Sequence, residues 1–137
     1  MILVTGGAGF IGSNFVLDWL GAGLGPVVNV DKLTYAGNLE NLSTISKEPA
    51  HVFVQADICD QERMSALLAE HRPRAILHFA AESHVDRSIS GPGEFIRTNI
   101  AGTFSLLQAT LGYWRGLEGP AREDFRFLHV STDEVYG

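Results

Sequence analysis

The chain has 137 residues, a net charge of -6 from 10 Lys+Arg against 16 Asp+Glu, 45% hydrophobic residues and one cysteine, which fits one domain with enough apolar content for a core. An acidic balance with only two lysines, Lys32 and Lys47, offers no cationic surface to a phosphate backbone and argues against nucleic acid. No apolar run reaches the roughly 20 residues that span a bilayer, and Met1-Ile2-Leu3-Val4 carries no basic region or cleavage site, so no membrane partner and a cytoplasmic location are expected. Cys59 alone excludes a disulfide framework, and His51, His71, His78, His84 and His129 lack the short pairing of a helical zinc site, so no metal is expected.

Short β-branched runs alternate with stretches of helical period, which predicts a Rossmann-type doubly wound α/β fold with about five parallel strands in the order 3-2-1-4-5. The strands are expected at Ile2 to Thr5, Val27 to Asp31, His51 to Gln55, Ala75 to Phe79 and Arg126 to Val130. Ile11, Phe15, Val16, Trp19 and Leu20 recur at helical spacing after the first strand, and Gly21-Ala22-Gly23 closes that helix. Asp60 is placed to cap a helix with Met64, Leu67, Leu68 and His71 on one face, ending at Pro73. The longest helix follows Pro92 and carries Ile96, Ile100, Phe104, Leu107 and Leu111 as its apolar stripe. Gly102 inside it costs about 1 kcal/mol relative to alanine, which predicts a close backbone contact there. Lys32 to Ala50 reads as a long polar loop and Gly112 to Asp124 as a surface excursion.

The first strand runs directly into Thr5-Gly6-Gly7-Ala8-Gly9-Phe10-Ile11-Gly12, with Gly6, Gly9 and Gly12 in G-x-x-G-x-x-G spacing at the start of the first helix. Glycines between strand and helix let the backbone approach a pyrophosphate, while the helix N-terminus supplies unpaired N–H groups and a positive dipole end. Strand two ends at Asp31, 31 - 12 = 19 residues past the last glycine, matching the roughly 20 expected of an acid that binds the ribose 2'-hydroxyl. A carboxylate there repels a 2'-phosphate and selects NAD over NADP. Asp57-Ile58 after strand three suits either the adenine side of such a site or a cap for the next helix.

In this architecture ligands lie beyond the carboxyl ends of the strands, where the strand order reverses. Strand four releases Ala80-Ala81-Glu82-Ser83-His84-Val85-Asp86-Arg87-Ser88, small residues for backbone approach followed by polar ones. His84 reads as a base or as a hydrogen-bonded support, and Glu82, Asp86 and Arg87 as substrate contacts or as a loop-stabilising cluster. Asn99, beside Thr98, is placed to bond across to this loop or to its own helix backbone. Strand five ends in Ser131-Thr132-Asp133-Glu134-Val135-Tyr136-Gly137. If that stretch leaves the extended conformation, the Asp133 and Glu134 side chains are no longer opposed and both reach one pocket. Two carboxylates in a dry site let one stay protonated while its neighbour is ionised, an acid and a base for an elimination. The alternative is that both complement the start of a following helix.

Together these segments resemble the nucleotide-sugar branch of the extended short-chain dehydrogenase/reductase family, and within it the 4,6-dehydratases that act on dTDP-glucose. The glycine turn carries the broad resemblance. Asp31-Lys32-Leu33-Thr34-Tyr35-Ala36-Gly37-Asn38, Ala80 to Ser88 and Ser131 to Gly137 carry the specific one. Related epimerases have small residues where Asp133 and Glu134 stand. The resemblance implies a homodimeric hydro-lyase that uses tightly held NAD: C4 of the sugar is oxidised, the C5 proton is lost, water leaves from C6, and the hydride returns to C6. It implies that Thr132 bonds the 4-hydroxyl, Asp133 protonates the leaving C6 hydroxyl and Glu134 takes the C5 proton. It places Phe10, Ile11, Asp31, Lys32, Leu33, Thr34, Asp57, Ile58, Phe79, Ala80, Ala81, Glu82, Ser83 and Thr98 around NAD, with Ser83 also reaching the substrate. The family's Tyr-x-x-x-Lys pair, which deprotonates the 4-hydroxyl and orients the nicotinamide ribose, has no counterpart in residues 1–137. The expected domain is therefore the incomplete NAD-binding part of such an enzyme, without its C-terminal substrate domain.

Overall fold

The computed structural model describes residues 1–34 and 37–137, excluding the side chains of Val85 and Glu134. Five parallel strands form one sheet in the order β3-β2-β1-β4-β5, with β1 at Ile2–Thr5, β2 at Val27–Asp31, β3 at His51–Gln55, β4 at Ala75–His78 and β5 at Arg126–His129. The expected sheet and strand order are what forms. β4 and β5 each end one residue earlier than their apolar runs. The backbone N–H groups of Phe79 and Val130 still bond to Thr5 and His78, so the boundary difference is small.

The alternation of side chains along each strand divides the core into two layers. Ile2, Val4 and Val27 face α1, Phe10–Gly21, together with Ala8, Val16 and Leu42. Leu3, Val28, Val30 and Ile76 face the other way, onto Met64, Leu67 and Leu68 of α2, Gln61–His71, and Leu106 and Ala109 of α5, Thr103–Arg115. The helix ends follow their local signals. Asp60 Oδ1 accepts from Arg63 N–H at 2.9 Å at the start of α2. At the end of α1, Gly23 adopts φ +66 while Leu24 N–H donates to Trp19 O, a glycine stop of the kind its sequence predicts.

Three segments depart from the reading of the sequence. The loop from Lys32 to Ala50 contains a 3-10 helix, Leu39–Ile45, whose Leu42 is buried under α1. Gly112 to Arg115 completes α5, and the rest of that supposed excursion is anchored by buried Leu117 and Phe125 around a short helix, α6, Gly119–Glu123. Residues 85 to 115 carry short helices, α3 at Val85–Ser90 and α4 at Pro92–Phe95, then a π-helical stretch at Ile96–Gly102 that leads into α5.

The apolar stripe expected to seat the longest helix does not do so: Ile96, Ile100, Phe104 and Leu107 are exposed, and Gly102, Ser105, Leu106, Ala109 and Thr110 form the buried face. Gly102, Ser105 and Ala109 permit a close approach, while Leu106 fills the core between them. A Cβ on Gly102 would lie 2.8 Å from Ile58 Cδ1 and 3.3 Å from Cys59 Sγ, the close contact its sequence position implies.

Candidate functional site

β1 leads into the turn through Gly6, which takes φ +74 and donates to Val30 O at 2.8 Å. A Cβ on Gly6 would lie 2.6 Å from the Ala80 nitrogen, and one on Gly12 would fall on the Gly6 carbonyl oxygen, so these two positions require glycine. The start of α1 has Gly9 as its N-cap, no capping side chain and no acidic residue in its first turn. Its first N–H groups and the positive dipole end are therefore left for an external anion. Phe10 and Ile11 stand beside them, 82% and 63% exposed.

The carboxylate of Asp31 is fixed by two backbone donors, Ala8 N–H to Oδ2 at 2.9 Å and Leu33 N–H to Oδ1 at 2.8 Å. Each oxygen keeps a further acceptor site. Gly37 keeps the approach open, since a Cβ there would lie 2.8 Å from Asp31 Oδ1. Asn38 N–H and Asn41 Nδ2 both donate to Ala8 O, at 3.1 and 3.0 Å, which docks the long loop on the glycine turn. Tyr35 and Ala36 of the family-like segment lie outside the described residues.

Asp57 does not cap the next helix, since Asp60 does, and it stays on the cleft. Its Oδ1 accepts Cys59 N–H at 2.9 Å, while Lys32 Nζ lies 2.9 Å and Arg97 Nη2 3.5 Å from its Oδ2. Burial pushes the Asp57 carboxyl up, but the Cys59 N–H and Lys32 outweigh it and hold it below its usual range. This cluster joins residues separated by 25 and 40 positions, and only the convergence of β2, β3 and the π stretch reveals it.

Between the exits of β1 and β4 lies a buried polar chain that sequence reasoning missed. His78 Nδ1 is 2.7 Å from Thr5 Oγ1, and Nε2 is 3.0 Å from Thr103 Oγ1. Thr5 Oγ1 is also 3.4 Å from Ala80 N, which donates to it. Burial first, and His129 second, bring the His78 pKa down to about 4, so the ring is neutral near pH 7 and one ring nitrogen accepts from a hydroxyl. The available signal was a histidine inside an otherwise apolar strand.

At the β5 exit, residues Asp133–Val135 form a 3-10 turn, closed by Val135 N–H to Thr132 O at 3.3 Å and Tyr136 N–H to Asp133 O at 2.9 Å. The stretch has left the extended conformation, the condition under which adjacent side chains share a side. Thr132 Oγ1 donates to Asp133 Oδ1 at 3.3 Å. The Glu134 side chain lies outside those described.

One cleft of about 1160 Å³ gathers these parts. Gly6, Gly9, Phe10, Ile11 and Gly12 line one side, Asp31, Lys32, Thr34, Asp57 and Ile58 another, and Phe79 to Ser83, Thr98, Thr132 and Asp133 the rest. Leu33 is the described residue of the expected set that does not line it: its side chain packs into the α1 layer instead, because the φ of +58 turns the chain there. Asn99, Thr103 and Ser131, not assigned to NAD by the sequence, line it too. Among the described residues no three or more His, Cys, Asp or Glu side chains gather as a metal site, and no helix is long and apolar enough to cross a membrane.

Comparison with known proteins gives this geometry a family. The chain is 59% identical over 135 residues to a dTDP-glucose 4,6-dehydratase of Xanthomonas campestris pv. campestris (strain B100), covering 98% of this chain and 38% of that protein. It is 57% identical to dTDP-glucose 4,6-dehydratase 1 of Escherichia coli (strain K12), covering 99% and 38%. The chain thus spans under two-fifths of the length of these relatives. Among solved structures, a dTDP-glucose 4,6-dehydratase from Streptomyces venezuelae with NAD bound superposes with a TM-score of 0.84 at 46% identity, covering 99% of this chain and 40% of that one. A UDP-glucose-4-epimerase from Stenotrophomonas maltophila with bound NAD gives 0.82 at 37% identity, covering 99% and 38%. The family model described as GDP-mannose 4,6 dehydratase matches residues 3–137, and the chain belongs to that family.

Proposed function

We propose that residues 1–137 form the NAD-binding part of a dTDP-glucose 4,6-dehydratase, with the redox tyrosine and lysine and the sugar-nucleotide domain supplied by sequence beyond this stretch. The observation that carries the reading is the single cleft that unites an uncapped helix N-terminus, the Asp31 carboxylate and the Thr132-Asp133 exit of β5. The cavity fits a dinucleotide: two glycines let the turn close tightly against its own backbone, the uncapped helix start offers its N–H groups to a pyrophosphate, and a carboxylate stands at the end of β2 for a ribose.

NAD, when bound, supplies the acceptor for the C4 hydride and returns that hydride to C6. The residues of this chain do the rest of the assigned work. Asp31 accepts from the adenosine ribose hydroxyls and disfavours a 2'-phosphate. Thr132 bonds the sugar 4-hydroxyl, Glu134 takes the C5 proton and Asp133 gives a proton to the departing C6 hydroxyl, so that the two carboxylates exchange protonation over the elimination. The adjacent Asp133-Glu134 pair favours a dehydratase over an epimerase. The enzyme is read as a homodimeric cytoplasmic protein of nucleotide-sugar metabolism.

Calorimetric titration of this chain with NAD and with NADP tests the reading. NAD is expected to bind at least about tenfold more tightly, the discrimination of one well-placed hydrogen-bonded carboxylate. Equal affinities would overturn the ribose assignment.

A further inference from the structure

Lys32 directly follows Asp31, and it is the only lysine or arginine among the described residues that line the cleft. β2 and β3 pair as far as Asp31 and Gln55. Beyond that register Ala56 N–H donates to Asp31 O at 3.1 Å and Gln55 Nε2 donates to Lys32 O at 3.4 Å. The exits of the two strands are thus tied side by side, and Lys32 Nζ reaches across to lie 2.9 Å from Asp57 Oδ2.

The acid of this pair is held in place by its own turn. Asp57 Oδ1 accepts Cys59 N–H at 2.9 Å, and Asp57 O accepts Asp60 N–H at 3.0 Å. Arg97 Nη2 lies 3.5 Å from the same Oδ2 and does not line the cleft. The Asp57 side chain is 23% exposed and that of Lys32 41%, so the carboxylate is the fixed partner and the ammonium the movable one. A phosphate on the adenosine ribose 2'-oxygen would bring about 1.5 to 2 negative charges beside Asp31, and such a group is bound where a cation meets it. The cation nearest in the chain to Asp31 is Lys32, and Asp57 already neutralises it.

We propose that Asp57 is a specificity-determining residue: by engaging Lys32 it withholds that ammonium from a 2'-phosphate. The preference for NAD over NADP then rests on two acids, Asp31 repelling the phosphate and Asp57 occupying its counter-ion. The proposal rests on the NAD reading above.

The test titrates NAD and NADP into the enzyme completed by the tyrosine and lysine, unmutated and as Asp57→Asn, Lys32→Ala and the double variant, at about 0.15 M salt to screen distant charges. Asparagine keeps an acceptor for Cys59 N–H and gives up the charge. Ion pairs this exposed are modest in strength, so Asp57→Asn is expected to narrow the ratio of NAD to NADP affinity about three- to fivefold. The same substitution made in Lys32→Ala is expected to change the ratio less than about twofold, since no ammonium is left to release. An equal change in both backgrounds would show Asp57 acting through its own charge alone and would overturn the proposal, as would no change in either. Equal affinities for NAD and NADP in the unmutated enzyme would instead overturn the NAD reading, and the proposal with it. If Asp57→Asn fails to fold, NMR titration of the Asp57 carboxyl decides the matter: it is expected to rise toward the usual carboxylate range in Lys32→Ala, and an unmoved value overturns the pairing.

Discussion

The two flanks of β1 solve different problems. On the β2–β3 side, Val27 to Val30 are fully buried, and the cleft is shaped largely by backbone: the glycine turn, the uncapped α1 terminus and a carboxylate held by two N–H groups. On the β4–β5 side the strands run out into polar segments, and the assigned chemistry rests on side chains such as Thr132 and Asp133. Anchoring a dinucleotide is a matter of backbone clearance and dipoles, which short-range sequence can specify. Proton transfer needs side chains delivered to one reacting centre, and it therefore depends on what surrounds the cleft.

The sharpest way to separate the flanks is to disable the second while leaving the first intact. In the enzyme completed by the tyrosine and lysine, Glu134→Gln and Asp133→Asn are expected to slow dehydration by about 10² to 10⁴ while hydride transfer from C4 survives. Single-turnover absorbance of reduced cofactor, read with C5 deuterium incorporation, checks this. Normal C5 exchange in Glu134→Gln would remove it as the base and favour a purely electrostatic role for the pair.

Disabling the first flank has the converse signature. Gly12→Val forces a side chain onto the Gly6 carbonyl and is expected to weaken NAD binding about 100-fold, as measured by titration alongside thermal melting. Retained affinity would mean that the turn is not the pyrophosphate cradle.

The seam between the flanks has its own pH response. His78 falls from 6.5 to about 4 on folding, so between those values the unfolded chain binds more protons than the folded one. Stability should then be full above pH 6.5 and decline as the pH falls toward 4, by about 3 kcal/mol over the whole interval. Urea unfolding at several pH values checks the slope. His78→Asn should flatten it between pH 6.5 and 5, above the main carboxylate range.

Two smaller effects complete the comparison. Asp31→Ala should narrow the preference for NAD over NADP by about tenfold, roughly 1.4 kcal/mol, in paired titrations. Asp60→Ala removes the α2 cap and should cost about 1 kcal/mol of stability, seen in urea unfolding, without changing NAD affinity. A matching loss of affinity would show that the anchoring flank depends on α2 more than the backbone geometry implies.

What the sequence alone determined about this protein is what nearest neighbours along the chain control. Short β-branched apolar runs set the strands, Asp60 and Gly23 set helix ends, and the glycine spacing set the tight turn between β1 and α1, since each is a local requirement on burial, cap or backbone angle. The sequence also contained the two carboxylates and both possible partners for Asn99, but not the choice between partners. That choice, along with the meeting of Lys32 and Arg97 on Asp57 and the chain from Thr5 through His78 to Thr103, was decided only when strands and helices converged. The longest helix makes the physical reason plain. Ile96, Ile100, Phe104 and Leu107 promised a core-facing stripe by hydrophobicity, yet Gly102, Leu106 and Ala109 face the core, because Ile58 leaves no room for a side chain at Gly102 and the helix turns the face that fits toward it. Periodicity measures which residues avoid water, whereas packing selects the face that fits.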